Sequence, residues 1–317
     1  MFTLPGQNIR YLYICIFLAA LPLPMALIEM FFIATDSGFS VFDGRGTGQI
    51  TLYSASLVFI ILYSRYVAVD SPFIFLDLYR KVWKRTLAGF AAFALFSVTI
   101  SAIAFALTIG METVTYTPEN FQKLSNKRII RLFISLPIAS VLAMVEESMF
   151  RGFLMRYLRW KPTRKATILA VCFSSIVFAF VHNLSDPLGW VEPDNLRLFV
   201  GLFILGCTLC TVYICTGSLI CAAGLHAGFL FAENARNYTK VLELSNAEWW
   251  MAVGQDVRTA PITWLLFAGI GVGAYLLRHK LHPIFAVEKS VVANTDVVEP
   301  IERGSRFGSG NAAATAA

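Results

Sequence analysis

Long, uninterrupted apolar runs constrain this chain more than any other feature. A helix needs roughly 20 apolar residues to cross a bilayer core, and runs near that length recur along the sequence. They lie near Tyr11–Ile33, Gln49–Val69, Leu87–Ile109, Leu132–Leu154, Ile168–His182, Leu198–Thr216, Leu219–Glu233 and Pro261–Leu277; the fifth, seventh and eighth are short. The runs are continuous rather than alternating, which argues against an outer-membrane barrel. Composition agrees: 57% of the 317 residues are hydrophobic and 15% are charged, against about 25% charged in soluble domains. That balance argues against a soluble enzyme, a disordered chain and a disulfide-rich secreted module. The expected fold is therefore an all-α, polytopic membrane helix bundle of about eight transmembrane helices. It should occupy residues 1–282, with 283–317, polar and ending in low complexity, as a disordered cytoplasmic tail.

Loop charges orient the runs. Arg80, Lys81, Lys84 and Arg85 follow the second, Arg156, Arg159, Lys161, Arg164 and Lys165 the fourth, and Arg278, His279 and Lys280 the eighth. The positive-inside rule makes these loops and both termini cytoplasmic, with the loop carrying Asp186, Glu192 and Asp194 and the loop Asn234–Ala260 outside. A bacterial-type inner membrane is the expected location. Lys123, Lys127, Arg128 and Arg131 do not fit, because they precede the fourth run on the outer side. They read either as an interfacial amphipathic helix or as a count that is wrong by one. Trp83 and Trp160 fall at the inner boundary, and Trp190, Trp249, Trp250 and Trp264 near the outer one, where the indole N–H meets water. All six cysteines fall in the runs, which argues against a disulfide framework. Cys207-x-x-Cys210 reads as helix packing.

Ionisable side chains inside a membrane are costly and are functional candidates by default. The acids in the runs are Glu29, Glu146, Glu147 and Glu233, and the histidines are His182 and His226. Glu29 and Glu233 read as interfacial acids. Glu146 and Glu147 are adjacent, so on a helix they point about 100° apart. Arg151 is one turn after Glu147, the spacing of an internal ion pair. Glu146 is left without a local partner and must meet another helix or a wet cavity. Small residues around His226 allow close helix approach. Depth presents a conflict: His182 sits near the outer end of the fifth run, Glu146 and Arg151 in the inner half of the fourth.

Glu146-Glu147-x-x-x-Arg151, then Phe178-x-x-x-His182, then His226 in a small-residue helix, resembles the CAAX protease and bacteriocin-processing (CPBP, Abi) family. That family includes the type II CAAX prenyl endopeptidases, and the stretch from about Leu132 to Phe231 carries the resemblance. It implies an intramembrane endopeptidase acting on a membrane-associated or lipidated, CAAX-like peptide, with the bilayer as its other partner and no nucleic acid. Glu146, assisted by His182, would activate water; His226 would hold the oxyanion; Glu147, Arg151 and Phe178 would shape the site. One departure stands out. The family places Asn or Asp four residues after the third-motif His, and this chain has Leu230 there. Asn234 and Asn183 are the candidate substitutes. The resemblance leaves metal use open: either no cofactor, or a zinc ion held by Glu146, His182 and His226, a set zinc accepts. A His-Glu-x-x-His motif, an intramembrane Asp and a Gly-x-Ser-x-Gly elbow are all absent from the sequence. Two other readings fit the same residues: a proton- or ion-coupled transporter, and a catalytically altered immunity or scaffold member of the family.

Overall fold

A computed structural model describes residues 16–17, 53–59, 61–62, 83–110, 114–117, 119–122, 125–155, 158, 163–182, 192–240, 242–244 and 256–286. Its elements follow the apolar runs. Helix α1 is Trp83–Gly110, strand β1 is Val114–Tyr116, and the short α2 is Glu119–Gln122. Helix α3, Asn126–Glu147, continues as a π-helical segment, Ser148–Met155. Helices α4 (Arg164–His182), α5 (Pro193–Thr216) and α6 (Leu219–Thr239) follow, then strand β2 (Leu242–Leu244). A 3-10 turn, Val257–Thr259, leads to α7 (Pro261–Leu276) and α8 (Arg278–Phe285). The strands β1 and β2 form one short antiparallel pair, Val114 opposite Leu244, at the end of an otherwise all-helical bundle.

Among the described residues, four helical stretches are long and apolar enough to cross a membrane: 84–106, 126–155, 164–182 and 193–216. The pair α7 and α8, bent by 78° between them, makes a fifth if it counts as one span. These are the third to sixth and the eighth expected spans. The first two fall largely outside the described residues, as do Glu29, Cys15, Lys123, Asn183, Trp160, Trp190, Trp249, Trp250 and the tail 287–317. The seventh run does form a helix, α6, but it fails the apolarity test because its C-terminal half carries Glu233, Asn234, Arg236 and Asn237. It is the innermost helix nonetheless: every residue from Leu219 to Gly228 is buried.

Small residues make that burial possible. A Cβ at Gly224 would lie 2.3 Å from the carbonyl oxygen of Phe90, and one at Gly228 1.8 Å from Ser97 Oγ. Only hydrogen fits at either position, so α1 packs backbone to backbone on α6, as close membrane helix pairs do.

Three expectations need correction. No separate interfacial helix carries Lys127, Arg128 and Arg131; they are the exposed first turns of α3, which begins at Asn126. The stretch 234–260 is not simply a loop, since α6 runs on to Thr239 and β2 and the 3-10 turn follow. The depth conflict also disappears. Ser174 Oγ donates to the Phe150 carbonyl at 2.9 Å, which sets the register of α4 on the π-helical segment. From that contact, His182 is two turns along α4 and Glu146 one turn back along α3, a difference of roughly 6 Å at 1.5 Å per residue. Two long side chains close it.

Candidate active site

Glu146 is buried, and its partners all come from other helices. Tyr53 donates its phenolic hydrogen to Glu146 Oε1. Oε2 makes no hydrogen bond among the described residues. It faces His182 Nε2 at 3.7 Å and His226 Nε2 at 3.6 Å. Both separations exceed a direct hydrogen bond. The sequence expectation that Glu146 must look to another helix or to a cavity is met in both ways.

The imidazole tautomers follow from their neighbours. His182 Nδ1 lies 2.8 Å from the Phe178 carbonyl, one turn back on α4. A carbonyl only accepts, so Nδ1 carries the hydrogen and neutral His182 presents the lone pair of Nε2 to Glu146. His226 Nδ1 lies 3.0 Å from Glu147 Oε1, and the same logic leaves its Nε2 facing Glu146. With both imidazoles neutral, three acceptors converge on one point, which a molecule with hydrogens to donate satisfies.

Glu147 and Arg151 pair at 3.0 Å, both side chains wholly buried. The pair bridges the junction where the α-helix widens into π-helix, a deformation frequent at functional sites. Arg151 Nη2 also donates to the Gly206 carbonyl at 3.1 Å. Its guanidinium lies 4.7 Å from the Phe178 ring centre, and that ring also meets Phe150 at 5.2 Å, His182 at 4.5 Å and His226 at 5.8 Å between centres. Phe178 is therefore a wedge between the buried cation and the two histidines. The adjacent glutamates point apart, as the helix geometry required, but His226 touches both.

These groups line a cavity of about 730 Å³. Its walls are mostly apolar, from Ile100 and Phe105 on α1, Leu202 and Leu205 on α5 and Phe229 and Leu230 on α6. Leu230 is on the wall where an amide was expected, and Asn234 is also on the wall, one turn further along α6. Glu233 is not a simple interfacial acid: it accepts from Arg236 Nη2 at 2.7 Å and Asn237 Nδ2 at 3.2 Å. Arg258 completes the lining. Burial opposes its charge, but the hydrogen bonds from Arg258 to Asp256 hold the guanidinium above its ordinary pKa. Among the described residues no group of three or more His, Cys, Asp or Glu side chains stands out as a metal site, the set of Glu146, His182 and His226 included.

Sequence reasoning missed Tyr53 and Arg258. Tyr53 is one aromatic among many in an apolar run. Arg258 sits beside Asp256, which masked it as an ordinary balanced loop charge.

Residues 127–232, about a third of the chain, match the family model described as type II CAAX prenyl endopeptidase Rce1-like. No curated protein and no solved structure matches the chain. The matched segment contains Glu146, Glu147, Arg151, Phe178, His182 and His226, and lies within the span of the resemblance read from the sequence to within about five residues. The family is one of membrane proteases, and the match lends no support to the transporter or scaffold readings.

Proposed function

We infer, for a chain whose segment 127–232 is of the type II CAAX prenyl endopeptidase Rce1-like kind, that it is an intramembrane endopeptidase in which Glu146 activates water. Its substrate is a membrane-associated or lipidated peptide, CAAX-like in chemistry, and the bilayer is its other partner. The positive-inside pattern places both termini in the cytoplasm of a bacterial-type inner membrane in this reading. The observation that carries it is Glu146 Oε2, without a hydrogen bond among the described residues and facing the Nε2 atoms of two histidines at 3.6 and 3.7 Å on the wall of a mostly apolar cavity.

A water at that point donates one hydrogen to Glu146 Oε2 and the other to His182 Nε2. Its oxygen attacks the scissile carbonyl while Glu146 takes the proton. The tetrahedral oxyanion then needs donors. The resemblance gives that role to His226, which fills it only with a hydrogen on Nε2 in addition to the one that Nδ1 shares with Glu147 Oε1 at 3.0 Å, and Arg151 pairs with Glu147. Collapse breaks the C–N bond, and Glu146 returns the proton to the leaving amine. Tyr53 keeps Oε1 occupied, so Oε2 is the oxygen that reacts.

The test is cleavage of a farnesylated CAAX peptide by purified protein and by Glu146→Gln. General-base loss costs about 10²–10⁴-fold in rate, and the variant should lose cleavage by about that factor with unchanged expression. Equal cleavage by both proteins overturns the role of Glu146.

A further inference from the structure

Helix α8 turns aside where α7 ends. The two helices are bent by 78°, so an α7 that crosses the bilayer leaves α8 lying nearly along the membrane surface. Its first three residues are Arg278, His279 and Lys280. A path back into the bilayer would carry those side chains into hydrocarbon, which is costly; a path along the surface does not. The helix is clamped in that pose. Arg85, at the start of α1, donates from Nε and Nη2 to the carbonyls of Ile284 and Pro283, two of the groups that the end of a helix leaves open. Phe285 meets the Phe93 ring at 5.5 Å between centres. A Cβ at Gly89 would lie 3.3 Å from Phe285 and 3.1 Å from Cys221 Sγ on α6. At the turn between α5 and α6, a Cβ at Gly217 would lie 3.2 Å from His282 Nε2. These contacts occupy the inner face of α8. Ile284 stays exposed, as do Leu276 and Leu277 at the elbow.

Charge at this end of the bundle is one-sided. Lys84 and Arg85 open α1, and Arg278 and Lys280 open α8 beside them. Glu146 and Glu147 are inside the bundle. The other acids among the described residues, Glu119, Glu192, Asp194, Glu233, Glu243 and Asp256, all lie towards the opposite ends of α1, α5, α6 and α7. Among the described residues, then, no acid balances these four cations. The stretch 287–317 is too even to do so: Glu288, Asp296, Glu299 and Glu302 stand against Lys289, Arg303 and Arg306.

We propose that α8, with the start of α1, is a docking surface for the anionic headgroups of membrane phospholipids. Arg278 and Lys280 meet the phosphates, while Leu276, Leu277 and Ile284 enter the acyl boundary, as in an interfacial amphipathic helix. The Arg278 guanidinium stands 4.3 Å from the Tyr275 ring centre, an aromatic and a cation sharing the depth at which headgroups begin. The surface stands apart from the peptidase reading, since it needs only a bilayer.

The test uses the full chain in lipid nanodiscs. Ile284→Trp places a fluorophore on the exposed face of α8, and its emission above the wild-type background is quenched by brominated phosphatidylglycerol or by brominated phosphatidylcholine. The ratio of the two association constants should favour phosphatidylglycerol by at least about fivefold, the contribution of one cation at an anionic surface. Adding Arg278→Gln and Lys280→Gln should bring that ratio towards one, and so should about 1 M salt, by screening. Lys127→Gln with Arg128→Gln removes the same charge from the start of α3, at the opposite end of the bundle, and should leave the ratio unchanged. A ratio of one overturns the proposal; if that ratio then rises on removal of residues 287–317, the occupant is the tail and not the lipid. An equal loss from Lys127→Gln with Arg128→Gln also overturns it, since net charge alone would then decide. Without any substitution, the Tm should be about 2–4 °C higher in phosphatidylglycerol than in phosphatidylcholine, because a ligand of the folded state stabilises it. Equal Tm values overturn the proposal even where Ile284→Trp does not fold.

Discussion

At one end of the cavity, Glu146, His182 and His226 come from three helices of the family-matched segment, held by a wholly buried Glu147–Arg151 pair. Elsewhere on the wall of the same cavity, near enough to Glu146 for the two charges to interact, Arg258 comes from a short turn outside that segment and is paired with a partly exposed Asp256. The first group packs its ion pair wholly away from water. The second keeps donors free because its ion pair uses part of the guanidinium and stays near solvent. One cavity thus has two differently built stretches of wall, one inside the family-matched segment and one outside it.

Breaking the buried pair gives the largest stability effect and tests the first half of the comparison. Arg151→Met leaves Glu147 as an uncompensated charge inside the bundle, which should cost about 3–5 kcal/mol. Replacing both, as Glu147→Gln with Arg151→Met, should recover much of that loss, because no charge is then stranded. Thermal unfolding in detergent gives both numbers. A double variant as unstable as the single one would show that the pair is not a closed electrostatic unit.

Part of this was open to inspection in the sequence. A charge in an apolar run is conspicuous because the surrounding residues give it no reason to be there, so Glu146, Glu147, Arg151 and both histidines stood out. Close packing at His226 was also legible from its small neighbours. The register of α4 on the π-helical segment was not, since counting residues from loop ends assumes that all spans start level, and the Ser174 contact with Phe150 shows that they do not. Nor was Tyr53, because a tyrosine in an apolar run is ordinary until its hydroxyl is seen on a carboxylate. Chain order gives no hint of that contact.

Tyr53→Phe sharpens the comparison from the opposite side, since Tyr53 belongs to the reacting end but lies outside the matched segment. Removing the hydroxyl frees Glu146 Oε1 and lets the carboxylate rotate. A hydrogen bond to a charged group contributes about 1.5–3 kcal/mol, so kcat should fall by at least about tenfold. KM should change little, because Tyr53 orients a reacting group and does not hold the peptide. A variant with raised KM and unchanged kcat would move Tyr53 from the reacting end to substrate binding.

The smallest effect concerns the outer wall. Burial raises the Asp256 carboxyl pKa, but the hydrogen bonds and charge of Arg258 outweigh it and hold the group below its ordinary value of 3.8. A carboxyl whose folded value is depressed stabilises the fold above the unfolded value, and that contribution is lost as pH falls through the folded one. Because the pair is partly exposed, its contribution should stay within about 1 kcal/mol. Asp256→Asn should therefore lower the Tm slightly at neutral pH, and the gap to wild type should close below about pH 4. The buried Glu147–Arg151 pair has no such exposure to solvent. If the Asp256→Asn gap instead matched that of Arg151→Met, the outer wall would be as closed to water as the reacting end. The contrast between the two walls would then disappear.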